Sequence, residues 1–244
     1  MSAGGGSAGG EFTGGESTGG EFTGGEPTGV RGARRLLVIG PQGAGKGTQG
    51  AILAGRLGIA TVSTGDLFRA HVGGGTELGR LAKTYMDAGD LVPDEVTIAM
   101  VRARLDEPDA GSGFLLDGFP RNAAQAAALD ELLAGRATPL QAVLSLTLGD
   151  EEIVARLSGR RVDNRTGTTY HLLSDPPPPA DVAAGYVVQR DDDRPEPIRR
   201  RLQLFHDQTK PLLELYAQRG LLVSVDGDGT VAEVAERVAS ALGL

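Results

Sequence analysis

The 244-residue chain has no cysteine and no tryptophan, and it has only three histidines. Without cysteine it can form neither a disulfide framework nor a thiolate metal site. So few histidines leave no evident histidine-based catalytic dyad, and His206 is assigned a surface role. No run of about 18 apolar residues occurs, so no membrane-spanning helix and no membrane partner are expected. The N-terminus lacks the basic-then-apolar pattern of a secretory signal, which sets cytoplasmic location as the expectation. Basic residues are also in deficit, 24 against 32 acidic, for a net charge of −8. Nucleic-acid binders normally present a basic face, so no nucleic-acid partner is expected.

Glycine is present in excess, with 38 residues. Many fall in "GGEFTGGESTGGEFTGGEPTG", Gly9 to Gly29, a Gly-Gly-Glu-x-Thr repeat in four copies. A five-residue period is too short for a solenoid, whose units run to about 20–50 residues. Glycine loses much backbone entropy on ordering, and two phenylalanines cannot offset it. Residues 1–30 are therefore read as a disordered tail and 31–244 as the folded domain, which is long enough for one substantial core.

"LLVIGPQGAGKGTQ", Leu36 to Gln49, is built differently. Leu36–Ile39 fits a buried parallel strand. Gly40, Gly43, Gly45 and Gly47 then let the backbone turn and approach an anion closely. A helix over Gly47–Leu57 follows, with Ile52, Leu53 and Leu57 on one side and its N-terminal amides aimed at the loop. Lys46 adds a mobile positive charge for the outer phosphates. Gly40 to Lys46 fits the phosphate-loop pattern G-x-x-x-x-G-K-[ST], but Gly47 stands where a hydroxyl is expected and Thr48 comes one residue late. The usual hydroxyl ligand for magnesium is thus missing.

Three later segments add charge at strand and helix ends. In "STGDLFR", Ser63 to Arg69, Thr64 and Asp66 fit a helix start with capping side chains, and Arg69 lies one turn in. In "GFLLDGFPR", Gly113 to Arg121, a second buried strand ends in Asp117, where open α/β sheets place ligands and where a carboxylate can orient water on magnesium. Gly118 and Pro120 then turn the chain before Arg121. In "QRDDDRPEPIRRRL", Gln189 to Leu202, Arg190 precedes three carboxylates and Arg199 to Arg201 open a helix. Each segment alone also fits a structural role, as a solvated cap, an Asp–Arg pair or a charged face. Taken together, such separated arginines converge in folds that balance several phosphate charges.

Alternating apolar and amphipathic stretches predict an α/β fold, a phosphate-loop parallel sheet flanked by helices. Strands are expected at Leu36–Ile39, Thr61–Val62, Phe114–Leu116, Ala142–Leu148 and Leu222–Val225. Helices are expected at Glu77–Ala88, Asp94–Leu105, Ala123–Leu133, Glu151–Ser158, Ile198–Gln218 and Val231–Ala241. Two insertions stand out, a helical one near 63–92 and a Pro-rich, β-containing one near 159–193 with "TTYHLL" as a strand.

The set "GPQGAGKGTQ", "STGDLFR", "LLDGFPR", "GRRV", "TYH" and "QRDDD", in this order, resembles the nucleoside monophosphate kinases, the adenylate kinase family above all. The resemblance runs from about Leu36 to Gly243. It implies transfer of phosphate from ATP to AMP, giving two ADP, by a monomer, with Mg2+ held mainly by nucleotide phosphates and water. It makes the 63–92 insertion the AMP-binding part and the 159–193 insertion a lid over ATP, this family being a well-known case of lid closure. ATP is then assigned to Gly43, Ala44, Gly45, Lys46, Gly47 and Thr48, with Arg156 against the adenine and Arg160, Thr169, Tyr170 and Gly229 around it. AMP is assigned to Thr64, Arg69, Asp90, Leu91, Val92, Gly118, Phe119, Pro120, Arg121 and Gln125, with Arg190 and Arg201. Lys46, Asp117, Arg121, Arg160, Arg190 and Arg201 form the catalytic set.

The choice of acceptor base rests on Gln125, whose amide can both donate and accept at an adenine edge. Asn122 instead resembles the pyrimidine nucleotide kinases, which have a short lid, so a UMP/CMP or GTP:AMP enzyme is the alternative. A non-catalytic phosphate-loop sensor is the other; no Asn-Lys-x-Asp guanine motif occurs, and Lys46 and the arginines are present. Some relatives staple the lid with zinc or with four polar residues, and the matching positions here are Asp163, Thr166, Ala180 and Ala183. Two alanines provide neither metal ligands nor hydrogen bonds, so no structural zinc and no closed polar network are expected. Asp163 and Thr166 are left to pair with each other or with nearby backbone.

Overall fold

Strand β1 (Arg35–Ile39) leads into helix α1 (Lys46–Leu57), strand β2 (Ala60–Ser63), and helices α2 (Thr64–Gly73), α3 (Glu77–Ala88) and α4 (Asp94–Leu105). Strand β3 (Phe114–Asp117), helix α5 (Ala123–Gly135), strand β4 (Ala142–Thr147) and helix α6 (Asp150–Gly159) follow. Next come β5 (Arg160–Asp163), β6 (Thr169–His171), α7 (Pro179–Ala183) and β7 (Val187–Val188), then α8 (Pro195–Leu204), α9 (Pro211–Gln218), β8 (Leu222–Asp226) and α10 (Val231–Leu242). These elements come from a computed structural model that describes Met1 and residues 34–244. The glycine-rich repeat, and with it the tail expectation, lies outside the described residues.

The central sheet is parallel, in the order β2-β3-β1-β4-β8. Alternation along β1 divides the core. Leu36 and Val38 pack with Leu53 of α1 and Val234 and Val238 of α10, while Leu37 and Ile39 pack with Val101 of α4, Leu129 of α5 and Tyr216 of α9. Both faces of the sheet are thus covered by helices, which is why its strands read as unbroken apolar runs. Chain order reverses direction around β1, and ligand sites in such sheets lie at the carboxyl ends near this reversal. Register aligns the motifs there. Ser63 pairs with Asp117 and Asp117 with Val38, two residues before Gly40.

The predicted helices Glu77–Ala88 and Asp94–Leu105 have the observed bounds, and the five predicted strands are all present with end shifts of one residue or so. Two local expectations are corrected. Helix α2 is capped by Ser63, whose Oγ accepts from Asp66 N at 3.3 Å, and not by Thr64 or Asp66 side chains. Thr64 is the first helical residue and is buried. The single helix expected over Ile198–Gln218 starts three residues earlier and is broken in register. Pro211 has no N–H to give and its ring crowds the preceding turn, so the chain widens to a π-turn over Phe205–Thr209, with Lys210 N bonding Phe205 O at 2.8 Å.

The second, antiparallel sheet has the order β6-β5-β7. It contains the predicted "TTYHLL" strand, shortened to three residues, and two strands that the sequence did not mark. Ala180 and Ala183 take no part in a polar network, and Thr166 N bonds Asp163 Oδ1 at 3.4 Å, but the sheet is tied by an ion-pair cluster around a residue the sequence did not mark, Arg165. Arg165 donates to Asp163 through Nε at 3.1 Å and Nη2 at 2.6 Å, and to Asp181 Oδ1 at 2.8 Å. Its guanidinium also lies over the Tyr186 ring, 3.8 Å from the centroid. Asp163 further accepts the backbone N–H groups of Arg165 and Thr166. Asp181, next to the alanine that matched the expected position, provides the second carboxylate. One arginine thereby ties the β5–β6 turn to α7 and to the approach to β7.

The Arg165 side chain, followed by turn and charge contacts, holds the Asp163 carboxyl at about 2. That value lies below the unfolded one, so this support is complete above the unfolded pKa and is lost as pH falls toward about 2. Replacing Arg165 by Met leaves the buried Asp163 carboxylate with only backbone N–H partners, and is expected to raise amide exchange across residues 160–188 by roughly tenfold or more at neutral pH. Protection in β1, β3 and β4 should stay unchanged. Exchange that rises equally in the central strands would show that the arginine acts on global stability instead.

Candidate active site

The phosphate loop closes on itself through Ala44 N to Pro41 O at 3.3 Å. Helix α1 is entered from Gly45, has no side-chain cap and has no acidic residue in its first turn. Its leading N–H groups are therefore left without a side-chain partner and suited to an anion. Lys46 Nζ folds back to Pro41 O at 2.8 Å. The lysine is half-buried, partly open to water. Burial lowers its pKa to about 8; Asp117 opposes this, and Arg121, Arg160 and Arg201 add to it. Four cations and one carboxylate, from β3, β5, α1, α8 and the turn after β3, thus lie near enough for the others' charges to act on Lys46.

Asp117 holds the end of β3 beside the loop. A Cβ added at Gly47 would lie 3.9 Å from Asp117 Oδ2, so the missing hydroxyl leaves room beside a carboxylate. Among the described residues no three His, Cys, Asp or Glu side chains cluster as a metal site. A cation held mostly by phosphates and water, with Asp117 ordering that water, fits this donor set.

The turn after β3 brings the second cluster together. Thr64 Oγ1 donates to Gly118 O at 3.0 Å, and Arg121 Nε donates to the same carbonyl at 2.8 Å. Gly118 has φ of 78°, and a Cβ there would meet Thr64 Oγ1 at 2.7 Å, so only glycine serves. Phe119 is buried beneath it, and the Phe119–Pro120 peptide is cis. Burial, with Arg201 beside it and despite Asp117, lowers Arg121 to about 10, which leaves it charged at neutral pH. Burial also lowers Arg190 to about 10, and the charges of Arg69 and Arg160 add to the fall. Arg69 itself reaches back to Asp66 at 2.5 Å.

Carboxylates hold the remaining arginines in place. Arg160 grips Asp193 with both Nε and Nη2, and Asp193 is fully buried. Burial raises the Asp193 pKa despite that partner, and neighbouring Asp192 adds to the rise. Asp192 is also pushed up by burial, but Arg201 at 2.7 Å pulls it below its usual value. The run of three carboxylates is therefore an anchor for arginines and only Asp191 is exposed.

Arg156 lies at the other end of the loop. It bonds Gly227 O at 3.1 Å and approaches Asp228 at 3.3 Å, next to Gly229. Thr169 and Tyr170 lie on β6, where Tyr170 pairs with Arg161, and make no side-chain hydrogen bond to the loop. Asp90 is engaged by Arg200 at 2.7 Å, Val92 is buried and Leu91 half-buried. Gln125 is buried, with Nε2 on Asp94 at 2.6 Å and Oε1 accepting Arg121 N at 2.8 Å. Asn122, the pyrimidine-like residue, caps α5 and clasps Asp94, which gives it a structural reason to be asparagine. Sequence reasoning missed Gln42 and Asp94, both of which bond site residues; neither stands out by type or spacing. His206 is paired with Asp150 at 3.0 Å on the surface, away from this cluster.

Fold and site define a phosphate-loop protein of the mononucleotide-handling class, with a cationic cleft at the carboxyl ends of a parallel sheet. Comparison with known proteins specifies it further. The adenylate kinase family pattern matches residues 38–221. The chain is 51% identical over 212 residues to adenylate kinase of Streptomyces avermitilis, covering 85% of this chain and 96% of that protein. It is 51% identical over 211 residues to adenylate kinase of Acidothermus cellulolyticus, covering 85% and 97%. The adenylate kinase of Symbiobacterium thermophilum is 50% identical over 210 residues, again 85% and 97%. The chain belongs to the adenylate kinase family.

Proposed function

We propose that the protein catalyses reversible, Mg2+-dependent transfer of the γ-phosphoryl group of ATP to AMP, yielding two ADP. The observation that carries this reading is that Arg121, Arg160 and Arg201 act on Lys46 beside the phosphate loop at the carboxyl ends of the parallel sheet. The acceptor phosphate needs no protein base, because a phosphate monoester is largely ionised near pH 7, its second pKa being about 6. An AMP oxygen attacks the γ-phosphorus, the bond from that phosphorus to the bridging oxygen breaks, and ADP leaves with its charge. Positioning and charge neutralisation dominate such a reaction.

Lys46 and the loop amides of Gly43, Ala44, Gly45, Gly47 and Thr48 would hold the donor phosphates. Arg69 and Arg121, with Thr64 and Gly118 shaping the turn, would hold the acceptor phosphate. Arg160, Arg190 and Arg201 would exchange carboxylate partners for the transferring group. Bound Mg2+ would neutralise phosphate charge, and Asp117 would orient its water. Gln125 has one amide N–H and one lone pair left after its protein bonds, which is the pair an adenine edge requires. Residues 63–92 would then close over AMP and residues 159–193 over ATP, excluding water as a competing acceptor. We further propose a zinc-free lid and a monomer, since one chain presents every residue of the site, acting in the cytoplasm on free ATP and AMP.

A coupled assay for ADP from ATP and AMP tests the reaction. Turnover with UMP or CMP as acceptor and none with AMP would replace it with the pyrimidine reading. The pH dependence offers a second test. Lys46 is depressed by burial, so its charge is present below about 8 and fades above it. The KM for ATP is expected to be about tenfold higher near pH 9 than at pH 7, the ratio set by a single lysine titrating at that value. Lys46→Arg should flatten this rise. A KM that stays level to pH 9 in the wild type would show that the lysine keeps its charge in the cleft.

A further inference from the structure

Gln42 lies in the phosphate loop between Pro41 and Gly43 and is half-buried. Its amide oxygen accepts Nη1 of Arg201 at 2.5 Å. The same guanidinium donates Nη2 to Asp192 Oδ2 at 2.7 Å and to Met86 O at 3.3 Å, and Nη1 to Asp192 O at 3.4 Å. One arginine on α8 is therefore held from three directions, by the phosphate loop, by α3 and by the turn after β7. Gln42 is the loop's own hold on it.

The geometry points to Gln42 as a positioning residue that keeps Arg201 over the phosphate loop; this rests on the reading that phosphoryl transfer occurs there. Asp192 contributes one carboxylate oxygen to the arginine, and its other oxygen is buried without a partner among the described residues. Left to that ion pair and to Met86 O, the guanidinium would settle toward the small sheet and α3. The carbonyl of Gln42 draws it back toward Lys46. A neutral acceptor is suited to the task, since it orients the guanidinium and leaves the full positive charge for the transferring phosphate. A carboxylate at this position would orient it equally and cancel the charge.

The test is steady-state kinetics of Gln42→Met, which keeps the chain length and removes the acceptor, with Gln42→Ala as a second variant should the first not fold. We expect kcat to fall about tenfold, the loss of one charge-assisted hydrogen bond that orients a catalytic group. KM for ATP and for AMP should stay within about twofold, and the melting temperature within about 2 °C. In an Arg201→Met background the same substitution should change kcat by less than about twofold, because the two act through one contact. Gln42→Glu should lose kcat and also raise KM for both nucleotides. A full tenfold loss in the Arg201→Met background, or a loss that tracks melting temperature, would reduce Gln42 to a loop-folding residue. Unchanged kcat in Gln42→Met with normal wild-type turnover would defeat this inference alone. Absence of ADP formation by the wild type would defeat the proposed reaction and this inference with it.

Discussion

Lys46→Ala is expected to lower kcat by about 10²–10³, the typical cost of removing one charged contact to a developing phosphate charge. Among the described residues the lysine makes a single protein hydrogen bond, to Pro41 O. Among the described residues its truncation breaks no ion pair, and it removes a charge that burial and three arginines already disfavour. The fold should therefore tolerate the change, with a melting temperature equal to or slightly above that of the wild type. Circular dichroism and thermal melting check the fold, and the ADP assay checks the rate. Activity within a few-fold of wild type in the folded variant would remove Lys46 from the chemistry.

Arg160→Ala is expected to cost both activity and stability. The resemblance to the adenylate kinase family assigns this arginine to the phosphate site, from which a loss of rate alone would be expected. The structure changes that expectation, because Asp193, its bidentate partner, is completely buried. Removing one member of such a pair leaves an uncompensated charge and typically costs about 3–5 kcal/mol. Turnover should also fall by about 10²–10³ if the arginine meets the transferring group. Asp193 is already raised above its usual pKa by burial, and the variant raises it further. The folded state then binds a proton that the unfolded state does not, so the deficit should shrink as pH falls through the raised value. Adding Asp193→Ala should recover most of the melting temperature and none of the rate. Full stability in Arg160→Ala at pH 7 would show that Asp193 finds another partner.

The central sheet was legible because its strands are short apolar runs bounded by glycine, a pattern that local sequence imposes on both buried faces. The phosphate loop was legible for a similar reason: Gly40 to Lys46 act within one turn, and their spacing is itself the geometry. Helices Glu77–Ala88 and Asp94–Leu105 open on local signals, a Thr76 cap and Pro93. The π-turn at Phe205–Thr209 was hidden, although Pro211 was in plain view. Whether a proline breaks, kinks or widens a helix depends on what the flanking turns pack against.

The network around Arg165 shows the same division. Asp163 and Thr166 mark a polar turn, but Asp181 and Tyr186 are distant in sequence and converge only when the small sheet closes. Likewise, "RDDD" announces charge without saying that Asp192 and Asp193 are buried arginine anchors while Asp191 faces water. Composition and local spacing determined that this chain builds a parallel sheet with a phosphate loop, because those features depend on neighbours along the chain. Which cations meet at Lys46, which carboxylates hold them, and that Gln42 reaches Arg201 were decided by tertiary structure. Coulombic and hydrogen-bonding partners are chosen by distance in space, and no local pattern encodes a contact across 159 residues.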